Sequence, residues 1–140
     1  EHVAHVRSHP ATGAEAFWRE RLAGFGAPNA LPGRPTGAAP TGRGHVEKVL
    51  DRALSDQLRQ AADRAGVSMN TVLQGAWAVL LSGWSGDADI VFGATRSGRA
   101  SSIADASNVV GCLINTLPVR LQVDPAAAVA DWLLQLREQE

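Results

Sequence analysis

Two polar residues, Asn115 and Thr116, interrupt the apolar run "VVGCLINTLPVR" (residues 109–120), with Gly111 near its start. If the run is a strand core, a buried amide without partners costs about 1 to 3 kcal/mol. Asn115 must then be satisfied locally or used. Other groups with chemical potential are weaker candidates. His2, His5 and His9 have spacings that imitate metal ligands, but no cysteine or second histidine pair nearby completes a zinc set, so solvated histidines are expected. Cys112 has no local group to activate it and reads as a small buried hydrophobe. "GATRSGRASS" (93–102) lacks the Lys-Ser/Thr ending of a phosphate-cradling loop and opens no clear helix. Trp77, Trp84 and Trp132 read as core residues. None of these groups forms a complete catalytic apparatus.

The elements that must position the Asn-Thr pair follow from periodicity and caps. Thr12 followed by Glu15 suggests a capping box for a helix through "AEAFWRERLAG", with Trp18 and Leu22 on one face and Gly24 as its stop. Residues 25–44 are too rich in Gly and Pro for a helix or central strand and read as a connector, long for a loop inside one domain. "HVEKVLD" (45–51) is an expected strand. Ser55 is the expected cap of a helix with Leu58, Ala61, Ala62 and Ala65 on one stripe, ended by Gly66. Ser68 should cap "MNTVLQGAWAVLLSGW", which is apolar nearly all round and reads as a helix buried between layers. Ile90, Val91 and Phe92 form a short buried strand. Asp124 as cap and Pro125 at the first helical position should open a last helix carrying Val129, Trp132, Leu133 and Leu136. Helices packed on one mixed sheet make an α/β layer fold.

Composition sets the outer limits. The 140 residues are 45% hydrophobic, enough for a core, and the net charge of -1 provides no field that would attract nucleic acid or an anionic membrane. A single cysteine excludes an intrachain disulfide framework and fits a cytoplasmic setting. No apolar run is long enough for a membrane span. Glu1 in the place of a methionine, and "LLQLREQE" at the end, lead us to expect a piece of a longer polypeptide.

Four blocks in order resemble one family. "VVGCLINTLPVR" is similar to the Gly-hydrophobic-Asn-Thr-hydrophobic-Pro-hydrophobic-Arg motif of nonribosomal peptide synthetase condensation domains. "AFWRERLAG" resembles that family's aromatic-rich helix. "ALPGRP" resembles its Leu-Pro-x-Asp-Arg-Pro linker, with the Asp missing. "VSMNTVLQGAWAVLLSGWSGDADIVFGATRSGR" is similar to its long helix, Ser-Gly-acidic turn and Phe-Gly strand. The resemblance implies one lobe of a two-lobed chloramphenicol-acetyltransferase-like fold. Residues 1–24 would lead out of a missing N-terminal lobe, 25–44 would link the lobes, and 45–140 would be part of the C-terminal lobe. It further implies peptide-bond formation between a donor acyl or peptidyl thioester and an acceptor aminoacyl thioester. Upstream and downstream peptidyl carrier proteins would deliver these on 4'-phosphopantetheine arms, beside a neighbouring adenylation domain, in antibiotic or other secondary-metabolite biosynthesis.

The family's His-His-x-x-x-Asp-Gly motif is absent, since no two histidines are adjacent, so the chain alone is expected not to catalyse. Asn115, Thr116, Ser97, Arg99 and Gly111 are the residues the resemblance places at a substrate tunnel. For Asn115 two readings stand side by side: an amide facing the tunnel, or one pinning a bulge through backbone bonds. Ser97 and Arg99 could equally form a solvated turn. An epimerization or heterocyclization domain is an alternative, disfavoured by the intact "INT". A non-catalytic carrier-docking or structural module of the same fold is another.

Overall fold

The computed structural model describes residues 12–31, 44–98 and 110–139. The elements are α1 (Ala14–Arg21), α2 (Arg52–Ala65), α3 (Met69–Ser85), β1 (Asp89–Arg96), β2 (Asn115–Gln122) and α4 (Val129–Glu138). The class is α/β, with β1 and β2 paired in a two-stranded sheet. Val123 donates its backbone N–H to Ala88 O, and Thr95 faces Thr116 at the other end, so the strands are antiparallel. The chain divides into two compact units. One comprises Glu1–Pro28 and Val91–Arg120; the other comprises Asn29–Ile90 and Leu121–Glu140.

In the second unit α2, α3 and α4 contact one another. Ala62, Ala78, Leu81, Leu133 and Leu136 form the buried core there, with Ile90 and Leu121 from the strand ends. Gly75 lets α3 and α4 approach, since a Cβ would lie 2.7 Å from Leu133 Cδ2. Ser68 caps α3 as expected, accepting from the Thr71 N–H at 3.0 Å, and its hydroxyl lies 2.8 Å from that of the fully buried Thr71.

Other starts differ from expectation. Asp51, not Ser55, caps α2, its carboxylate accepting from the Leu54 N–H at 2.7 Å. The helix therefore begins a turn earlier, and Ser55 lies inside it. Asp124 and Pro125 form a turn instead of a helix start: Ala127 N–H reaches Asp124 O and Ala126 N–H reaches its side chain, the arrangement Pro favours at the second turn position. Helix α4 begins only at Val129. For α1 the cap position is Gly13, at φ 91°, with no side-chain capping bond. Glu15 instead pairs with Arg19 at 2.7 Å.

Residues 45–51 form no strand. No described strand pairs with them, and Val46 and Val49 are exposed, so neither backbone bonds nor burial favours extended pairing. Helix α3 buries one face only: Leu73, Trp77, Leu80 and Trp84 are exposed on it. Trp77 and Trp84 are therefore not core; they meet edge to face, 6.3 Å apart. Trp132 is half-buried and donates its indole N–H to Gln122 O at 2.7 Å.

Candidate functional site

Antiparallel pairing carries the candidate residues to one end of the sheet. With Thr95 opposite Thr116, the chain leaving β1 at Ser97 and Gly98 runs beside the chain entering β2 at Leu113 to Asn115. Asn115 is thus the first residue of β2, not the middle of a strand core, and it is exposed. The desolvation cost expected for a buried amide does not arise. Its Oδ1 accepts the backbone N–H of Thr116 at 2.9 Å. Its Nδ2 has no partner among the described residues, which leaves two N–H donors at the exposed strand start.

Thr116 is exposed as well, its hydroxyl 3.5 Å from that of Thr95. A cross-strand threonine pair of this kind contributes a few tenths of a kcal/mol or more, about 0.2–1. Ser97 is exposed. Arg99 lies outside the described residues, as do His2, His5 and His9. Gly111 has φ 144°, a backbone conformation that disfavours a side chain, and among the described residues no atom lies within 4 Å of where its Cβ would stand.

Among the described residues a close approach occurs at Gly98. A Cβ on Gly98 would overlap Leu113 O, and its φ is 68°. Gly93 similarly accommodates the Thr116 methyl, 2.8 Å from where its Cβ would stand. Sequence reasoning named Gly111 and missed Gly98, Gly93 and Thr95. The available signal was the position of both glycines in the "FGATRSG" block, directly across from the Asn-Thr pair.

Cys112 is exposed, so it is not the buried hydrophobe expected from its type. Among the described residues no group of His, Cys, Asp or Glu could hold a metal. No helix among them is long and apolar enough to cross a membrane. The second unit holds an apolar cavity of about 360 Å³ between α3, α4 and the turn after β2, lined by Val72, Val79, Pro125, Val129 and Leu133 among others. Few polar groups line it, so it offers volume without chemistry. The strand-end site offers hydrogen-bond donors and hydroxyls, suited to holding a carbonyl rather than to moving a proton.

Residues 5–140 match the Condensation domain family. One of the linear gramicidin synthase subunits of Brevibacillus parabrevis is 36% identical over 147 residues, covering all of this chain and 2% of that protein. Chondramide synthase of Chondromyces crocatus is 36% identical over 142 residues, covering 99% of this chain and 4% of that protein. The chain therefore spans only a small part of the length of these relatives. The crystal structure of the first condensation domain of the calcium-dependent antibiotic synthetase, with a substrate analogue, superposes with a TM-score of 0.74 at 26% identity. That match covers 97% of this chain and 31% of the solved one. The X-domain from teicoplanin biosynthesis matches equally well, at TM-score 0.74 and 26% identity.

Proposed function

The chain belongs to the condensation-domain family of nonribosomal peptide synthetases, and from that premise we propose that it forms part of an enzyme that joins two carrier-bound substrates through an amide bond. The acceptor amine attacks the donor thioester carbonyl; the C–N bond forms, the C–S bond breaks, and the donor carrier's pantetheine thiol leaves. Residues 25–44 act as the connector between two lobes and 45–140 belong to the second lobe. Upstream and downstream peptidyl carriers present the substrates on 4'-phosphopantetheine arms, and an adenylation domain of the same assembly supplies the acceptor. The histidine motif of the family lies outside this chain. What these residues contribute is the holding of substrate, a step in which orientation can supply much of the rate.

The observation that carries the reading is the Asn115 amide. Its oxygen is engaged by the Thr116 N–H, so its N–H₂ is the part left to meet a carbonyl of a thioester or a pantetheine amide. Thr116 and Ser97 flank the same strand end, Gly111 shapes the chain that leads into it, and Arg99 stands two residues after Ser97 in the sequence. Asn115→Ala in a condensation protein containing this segment is expected to slow single-turnover condensation on loaded carriers about tenfold or more, since a hydrogen-bond donor to substrate is lost. Melting should hardly move. Unchanged turnover, or a melting loss equivalent to about 2 kcal/mol, would make the amide structural instead.

A further inference from the structure

Helix α1 is held in place by something other than burial. It has eight residues and none of them is buried. A helix of that length is marginal in water, below the roughly 12–15 residues that isolated helices need. Its last carbonyls have no partners within the helix, as at every helix C-terminus. Arg120, on β2, reaches the last of them and one carbonyl just beyond the helix. Its Nη1 donates to Arg21 O at 3.1 Å and to Ala23 O at 2.7 Å, and its guanidinium carbon lies 5.8 Å from the centre of the Phe25 ring. A cation at a helix C-terminus meets the negative end of the helix dipole, and the ring face adds a second attraction. All of these groups belong to the first compact unit.

We propose that Arg120 is a positioning residue. It fixes the exit of α1 and the start of the Gly/Pro segment from residue 25 against β2, so that the strand beginning at Asn115 and the departing chain move as one piece. Alternation along β2 supports this assignment: Val119 and Leu121 are buried, while Pro118 and Arg120, at the alternate positions, are half-buried. The side chain type is also specific. A lysine ammonium could donate to both carbonyls but lacks the planar, delocalised guanidinium that lies over the Phe25 ring. This inference concerns the mechanics of the strand and does not depend on the reaction proposed above.

Amide hydrogen exchange of the 140-residue chain, read by mass spectrometry, tests it. Arg120→Ala should accelerate exchange about tenfold in the peptide covering residues 17–26, where the Leu22 and Phe25 amides are bonded, and leave α2, α3 and α4 unchanged. Arg120→Lys should fall between the two. Unchanged exchange at 17–26 overturns the proposal, and so does equal acceleration throughout the chain, which would mean a general contribution to stability. Should Arg120→Ala not fold, Phe25→Ala removes only the ring beneath the guanidinium. A rise of about threefold at residues 17–24 supports the clamp, and parent-like exchange there refutes it.

Discussion

The two compact units hold themselves together by different means. The helical unit closes by filling volume: Leu136 is fully buried, and Ala62, Ala78, Leu81 and Leu133 pack with it. The unit that carries Asn115 has only Leu113 and Val119 as buried hydrophobic residues among those described. It relies on backbone approach, where Gly98 meets the Leu113 carbonyl, and on polar ties such as Arg120 to the end of α1. Both units close a helix end with an arginine, since Arg137 donates to Gly66 O at 2.7 Å behind α2. The difference teaches where each is fragile. Removing methyl groups should damage the helical unit, whereas adding one in the right place should damage the other.

The largest effect expected is on the volume-filled side. Leu136→Ala removes a fully buried side chain and should cost about 4 kcal/mol in urea unfolding. Gly98→Ala tests the opposite vulnerability. One added methyl meets a carbonyl oxygen at a left-handed φ, and together these should cost about 3 kcal/mol. If it proves neutral in the same urea experiment, the contrast between the units collapses. Gly111→Val separates conformation from contact, because its φ of 144° is unfavourable while no described atom lies within 4 Å of its Cβ position. A loss of about 1 kcal/mol is expected, and a loss as large as that of Gly98→Ala would show that more than backbone conformation is at stake there. Asn115→Ala stands last, at no more than about 0.5 kcal/mol, because its side chain is exposed.

How much of this was readable in advance depended on range. Ser68 capping α3 is a contact three residues long, and it was legible. Asp51 and Ser55 are both good capping types four residues apart, and only the bond to the Leu54 N–H decides between them. At Asp124-Pro125 the same residue types serve a turn or a helix start, and local hydrogen bonding favoured the turn. The strand block around Asn115 was visible as a motif, and the family match over residues 5–140 agrees with that reading. Its exposure was not visible, because burial depends on which chain segments lie beside it. The contact between Gly98 and Leu113 joins residues distant in sequence, and a glycine letter does not say whether it serves a turn or a neighbour. Helix α3 misled for a related reason: its all-round apolar pattern reports what the sequence can bury, and the exposed face reports what these residues alone do bury.

That exposed face has an optical consequence. Trp77 and Trp84 stand 44% and 50% exposed with their indoles nearly perpendicular, at 86° and 6.3 Å. Half-hydrated indoles emit at long wavelength, and two transitions this close couple to give a paired far-ultraviolet dichroic band. Whatever surface comes to lie over α3 must dry both rings at once. The chain therefore carries its own fluorescent gauge of that event: emission should move to the blue and the dichroic couplet should change with it, with no dye attached.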